Sequence, residues 1–312
     1  MRALVIGADG FAGRWLLRHL LESGDGVAAA VGPGYGDEAL PENLDPLRLD
    51  VRDAGRVNRV VTSSQPDVIY FLAGVSRAGA RDDLDLAMGI SVQGALNTLA
   101  AAAALDAPVR LLHVGSSHVY AVPRNEAPID ERAPIRPAGI YGAAKAAAES
   151  ALLYLGAATA VEVIAVRAFN HIGPGQQAGF VVPSLARQVS EIARGGQEPI
   201  IRAGNLDARR DFTDVRDVVR AYRLAVVHGA PGEAYNVASG RAISVRQVLA
   251  GLLELRSVRA EVDRAPELSR AGESTTAMIG DAGKLTALTG WRPEISIEQS
   301  LAGVLDSLGG PS

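Results

Sequence analysis

Six short apolar runs, at residues 3–6, 27–31, 47–51, 68–72, 110–114 and 161–166, alternate with segments of helical periodicity at 11–22, 54–62, 84–105 and 141–155. Nothing else in the chain constrains the fold as tightly. Each run is apolar on both faces and ends near Gly, Asp or Ser, the pattern of strands covered by helices on either side. Strands that alternate with helices predict right-handed βαβ crossovers and a parallel, doubly wound α/β sheet. Beyond residue 170 the pattern loosens. Gly173-Pro174-Gly175 breaks the chain, helices are expected at 180–194, 217–228, 245–255 and 297–308, and short strands at 200–202, 210–213 and 234–238. The economical division is a nucleotide-binding domain over 1–169, to which 215–240 returns, and a smaller substrate lobe over 170–312.

The glycines after the first run say what such a sheet would hold. Gly7-Ala8-Asp9-Gly10-Phe11-Ala12-Gly13 follows a strand and opens a helix. Gly7, Gly10 and Gly13 allow a tight turn, and the amides of Phe11 and Ala12 open the helix where its dipole favours a pyrophosphate. Arg14 lies within reach of a 2′-phosphate, or is a solvated residue on the helix face. Asp50, followed by Val51, can accept a hydrogen bond from an adenine amino group, and Leu72-Ala73-Gly74 ends the fourth strand where backbone must approach a ligand. The second strand ends Val31-Gly32-Pro33-Gly34, with neither an acid for a free ribose hydroxyl nor a base for its phosphate. NADH and NADPH therefore both remain open as the cofactor.

Catalytic chemistry is suggested by Tyr141 and Lys145, one helical turn apart on one face. An ammonium about 4–6 Å from a phenol lowers its pKa by about 1–3 units, making it a usable proton donor to a carbonyl oxygen. Gly115-Ser116-Ser117-His118 ends the fifth strand at the carboxyl edge of the sheet, where ligands bind. Ser116 can place a hydroxyl on the same carbonyl oxygen. Charge excludes one partner class: 31 basic against 35 acidic residues give −4, no excess for a nucleic-acid backbone. Cysteine is absent, which removes disulfides and thiolate chemistry, and no metal is called for. No uninterrupted apolar run reaches the ~18–20 residues of a membrane span, and no leader pattern is evident. A soluble cytoplasmic protein is expected.

The glycine motif, Ser116, Tyr141 with Lys145, and Arg167-Ala168-Phe169-Asn170 together resemble the extended short-chain dehydrogenase/reductase family of nucleotide-sugar enzymes, whose nucleotide domain is Rossmann-type. Residues 167–176, Phe180-Val181-Val182-Pro183-Ser184 and 204–217 narrow the likeness to reductases of GDP-4-keto-6-deoxy-D-mannose and their GDP-mannose 4,6-dehydratase relatives. The resemblance implies that Ser116 and Tyr141 hold a C4 ketone and that Lys145 binds the nicotinamide ribose. It implies contacts to a GDP-linked 4-keto-6-deoxy sugar from Ser117, His118, Asn170, Val181, Arg202, Arg210, Arg270 and Glu273. A homodimer through helices 84–105 and 141–155 is implied as well. Ser91 stands where these families have Asn, Ala168 and Ala271 where Pro is usual, Ile140 where Pro often precedes the Tyr, and Ala144 where Ser is common. Dehydratases carry an acid two positions before the Tyr of the fifth-strand motif, and here that position is His118. Loss of water needs a base and an acid besides Tyr. The expectation is therefore hydride transfer to a C4 ketone, with GDP-D-rhamnose as product and an epimerase or dehydratase as alternatives.

Overall fold

The computed structural model describes residues 1–34, 40–41, 44–75, 83–121, 127–268 and 277–309. Its first strands are β1 (Arg2–Ile6), β2 (Gly26–Val31), β3 (Leu47–Arg48), β4 (Val68–Phe71), β5 (Val109–Val114) and β6 (Val161–Ala168). They are followed by β7 (Asn170–Ile172), β8 (Ile200–Ala203), β9 (Arg209–Asp214), β10 (Ala234–Val237), β11 (Ala242–Ser244) and β12 (Glu261–Arg264). The helices are α1 (Phe11–Glu22), α2 (Ala54–Ser64), α3 (Leu84–Met88), α4 (Gly94–Ala103) and α5 (Gly139–Gly156), then α6 (Val181–Ala193), α7 (Val215–His228), α8 (Val245–Leu255), α9 (Gly283–Thr289) and α10 (Ile297–Ser307).

Seven strands form one sheet in the order β10-β6-β5-β4-β1-β2-β3, with every pairing parallel. The order reverses between β1 and β4, and such a switch point opens a crevice at the carboxyl ends of the strands. Alternation along β1 supplies both cores. Ala3 and Val5 pack with Leu16, Leu17 and Leu20 of α1 and with Val218 and Val219 of α7. Leu4 and Ile6 pack with Val57, Val60 and Val61 of α2, Leu99 of α4 and Leu152 of α5. Each such Leu or Val, fully buried, stabilises by about 1.5–3 kcal/mol relative to exposure. A third core, of Leu185 and Val189 on α6, Leu249 and Leu252 on α8, and Leu301 and Val304 on α10, lies under two small sheets, β11-β9-β7 and β12-β8.

Local chemistry explains several element ends. Asp53 caps α2 by accepting the Arg56 N–H, and α8 and α10 begin with capping boxes, Ser244 with Gln247 and Ser296 with Gln299. Two expectations need correction. The strand expected at 47–51 stops at Arg48, because Asp50 turns the chain: its carbonyl accepts the Asp53 N–H and its carboxylate the Arg52 N–H. The helix expected over 84–105 is interrupted by a π-turn, Gly89–Gln93, between α3 and α4. Strands β7, β11 and β12 and helix α9 carry too few residues for a periodic signal. The run Leu84–Ala103 is long and apolar enough to cross a membrane by length and composition alone, but half of it is buried, as in a core helix.

Candidate active site

The crevice begins at the glycine turn. Gly7 N and Ala8 N donate to Ala30 O at 2.9 and 3.0 Å, and Gly10 N donates to Gly7 O at 3.2 Å. Gly7 has φ +88°, and a Cβ there would lie 2.8 Å from Ala73 N. A Cβ on Gly13 would overlap the Gly7 carbonyl oxygen. Glycine is thus required both for the turn and for the close approach of Leu72-Ala73-Gly74. Helix α1 starts at Gly10 with no side-chain cap and no acid in its first turn, whereas α2, α8 and α10 are capped by their own side chains. Its first amides are left for an external acceptor, so this cradle fits a dinucleotide pyrophosphate.

The remaining expected cofactor residues are placed as follows. Phe11 stacks on His171 of β7, with ring centroids 5.8 Å apart, and Arg14 Nη2 donates to Gly175 O at 2.9 Å, so both tie α1 to the smaller lobe. Asp50 accepts Arg52 Nε and Nη2, and that interaction holds its carboxyl below the usual range. Val51 buries its side chain against Gly94 and has only backbone to offer a ligand. Asp9, not expected to matter, accepts the Gly32 N–H at 3.3 Å and joins the glycine turn to the end of β2.

Ser116, Tyr141 and Lys145 meet at the carboxyl end of β5. Ser116 caps the short turn Ser117–Val119, its Oγ accepting the His118 N–H at 3.2 Å. His118 Nδ1 lies 3.2 Å from the same oxygen, and its ring packs edge-on with Tyr141, centroids 5.7 Å apart. Helix α5 approaches this turn so closely that a Cβ on Gly142 would overlap the His118 carbonyl oxygen. Lys145 is buried, and its Nζ donates to Val114 O at 2.9 Å, two residues before Ser116. A Cβ on Gly74 would lie 3.0 Å from Lys145 Nζ and 3.8 Å from Ser91 Oγ, so the end of β4, the π-turn and the lysine converge. Burial pulls the Lys145 pKa down to about 8. His113, wholly buried with neither ring nitrogen partnered, is pulled to about 3 by burial and by the Lys145 charge. The lysine carries its proton at neutral pH but releases it far more readily than a solvated amine.

The smaller lobe supplies the other wall. Asn170 of β7 pairs in register with Phe212 of β9, two residues from Arg210, and both side chains are half-buried. Val181 is the exposed first residue of α6, which also begins without a side-chain cap. Arg202 Nη2 donates to Glu267 at 2.7 Å, and Ser117 is buried. Arg270 and Glu273 lie outside the described residues. Three buried carboxylates spaced three apart tie the lobe to the segment 215–240. Asp211 accepts Ser239 N, Ser239 Oγ, Gly240 N and Gly280 N; Asp214 accepts Arg216 Nε and Ser300 Oγ; Asp217 accepts Glu294 N and Ile295 N.

A profile of the NAD dependent epimerase/dehydratase family matches residues 3–238. The chain belongs to that family. Among curated epimerase/dehydratase relatives, the GDP-6-deoxy-D-mannose reductase of Pseudomonas aeruginosa is 33% identical over 306 residues, 97% of this chain and 96% of that protein. The structure of RMD from Pseudomonas aeruginosa complexed with NADPH matches at TM-score 0.86 and 31% identity, covering 98% of each chain. The Thermus thermophilus UDP-glucose 4-epimerase complex with NAD matches at TM-score 0.87 and 26% identity, covering 100% of each.

The brace behind this epimerase/dehydratase site carries only a faint local signal. Arg167 pairs with Glu149 of α5 at 2.6 Å and donates to Tyr120 Oη at 2.8 Å, bracing the helix that bears Tyr141 against β6. A buried Arg in a strand and a Glu on an apolar helix face each break the pattern around them. Those two breaks were the available clue.

Proposed function

We propose that the protein reduces the C4 ketone of GDP-4-keto-6-deoxy-D-mannose with NADPH or NADH, giving a GDP-6-deoxyhexose, GDP-D-rhamnose. The observation that carries the reading is the convergence of Ser116, Tyr141 and Lys145 with an imidazole, not a carboxylate, at position 118. The name and NADPH complex of the Pseudomonas aeruginosa reductase support it.

When bound, the reduced cofactor supplies the hydride. Gly7, Gly10, Phe11, Ala12 and Gly13 would hold its pyrophosphate, and Leu72, Ala73, Gly74, Asp50, Val51 and Arg14 would complete its binding site. Ser116 donates a hydrogen bond to the ketone oxygen, and Tyr141 transfers its phenolic proton to that oxygen as the carbonyl becomes an alcohol. The Lys145 charge lowers the cost of leaving a phenolate on Tyr141. Asn170 and Arg210 grip the sugar-nucleotide pyrophosphate, for which a guanidinium fork suits phosphate oxygens. Ser117, His118, Val181 and Arg202 complete the substrate wall, and the motif likeness assigns nucleotide contacts to Arg270 and Glu273. Residues 1–169 and 215–240 act as the cofactor domain and the remainder as the substrate lobe. Two copies pair through α3, α4 and α5, which leave Leu84, Tyr154 and Leu155 exposed, in a cytoplasmic homodimer.

The test is loss of reduced-nicotinamide absorbance when the purified protein meets the ketosugar. No oxidation of either cofactor would refute the reading. Interconversion of alcohol sugars without net oxidation would make the protein an epimerase instead. Tyr141→Phe is expected to lower turnover by about 10²–10⁴-fold with little change in GDP binding.

A further inference from the structure

We propose that His118 sets the hydrogen-bond polarity of Ser116, making its hydroxyl a donor toward a ketone oxygen. The inference rests on the reductase reading and adds a positioning residue to it. A serine hydroxyl offers one proton and two acceptor positions. One acceptor position of Ser116 is filled by the His118 N–H. The second faces His118 Nδ1 at 3.2 Å, a nitrogen that donates or accepts according to its tautomer. With the proton on Nδ1, both acceptor positions are filled and the hydroxyl proton is left for the substrate. With Nδ1 bare, the hydroxyl proton goes to the imidazole, and Ser116 turns only lone pairs toward the ligand.

A ketone oxygen can only accept, so reduction needs the first arrangement. The imidazole is held against this hydroxyl from two sides. Its ring is wedged at 78° against Tyr141, and its backbone is locked against Gly142 of α5.

Three arms test this. In kinetics with the ketosugar, His118→Ala is expected to lower kcat about tenfold with KM within threefold, the effect of one hydrogen bond that strengthens as charge develops. His118→Asn, whose amide nitrogen sits at the same bond count from Cβ as Nδ1, is expected to restore kcat to within threefold of the parent. In a Ser116→Ala background, His118→Ala is expected to cost less than twofold, because the group it positions is gone. The third arm does not depend on the sugar: nitrogen NMR of the imidazole near pH 8 with bound NADP⁺, the signal assigned by its loss in His118→Asn, is expected to show the Nδ1-protonated form. Equal loss in both backgrounds, no rescue by Asn, or a bare Nδ1 would each overturn the proposal. Absence of turnover with the ketosugar would refute the substrate reading, and the NMR arm would still decide the role of His118.

Discussion

The two walls of the crevice are built on opposite principles. The wall proposed to hold the cofactor is made by removing side chains: Gly7 and Gly13 let backbone meet backbone, and α1 starts uncapped. The wall proposed to hold the substrate is anchored by buried charge: Asp211, Asp214 and Asp217 each gather amides or hydroxyls from distant segments. A bare backbone cradle is preformed by local sterics and suits a ligand part common to many enzymes. A wall hung from buried carboxylates depends on many long-range bonds at once, so its loops can vary while the anchors stay fixed.

The largest expected effect tests the first wall. Gly13→Ala places a methyl on the Gly7 carbonyl oxygen, and cofactor affinity is expected to fall at least about 100-fold, roughly 3 kcal/mol, by calorimetric titration. GDP binding to the other wall should change little; an equal loss of both would collapse the distinction. Asp211→Ala should do the reverse. It strands three amides and a hydroxyl, so unfolding free energy is expected to drop by about 3 kcal/mol and GDP affinity to weaken, with cofactor binding within threefold of the parent.

Lys145→Met sharpens the comparison, because it removes the buried charge that the cofactor wall does hold. The folded-state pKa of about 8 lies below the ordinary 10.5, so the unfolded chain binds more protons between those values and wild-type stability rises with pH across them. The shift is worth about 3 kcal/mol against the fold at neutral pH, offset by about 1 kcal/mol for the bond to Val114. Denaturant titration at pH 7 should find the variant more stable by about 2 kcal/mol, with the gap closing toward pH 10 as turnover remains lost. The smallest effect is expected from Ser300→Ala, which takes one donor from Asp214 while Arg216 remains: about 1 kcal/mol by thermal unfolding, with both ligands still bound.

Legibility followed that division only in part. The strands of the sheet, the glycine turn and the Tyr141–Lys145 helix face were readable because each depends on residues within a few positions of one another. The π-turn around Ser91 was not, since its periodicity differs from that of an α-helix by a single residue in twenty. Nor was the early end of β3, which turns on the bonds of Asp50 to Arg52 and Asp53. Asn170 and Arg210 were found by motif, but their neighbourhood on adjacent strands came only with the β7–β9 register.

The sequence by itself determined that this chain would wind helices about a parallel sheet, with glycines at the first turn and a tyrosine one helical turn from a lysine, because period and spacing are written locally. Only the tertiary structure decided that His118 would link Ser116 to Tyr141, that Lys145 would be buried deeply enough to titrate near 8, and that Asp211, Asp217 and Asp214 would reach across 69, 78 and 86 residues to hold the second wall. The physical reason is burial. Desolvation and hydrogen-bond polarity are properties of what surrounds a side chain, and those surroundings are assembled from segments remote along the chain.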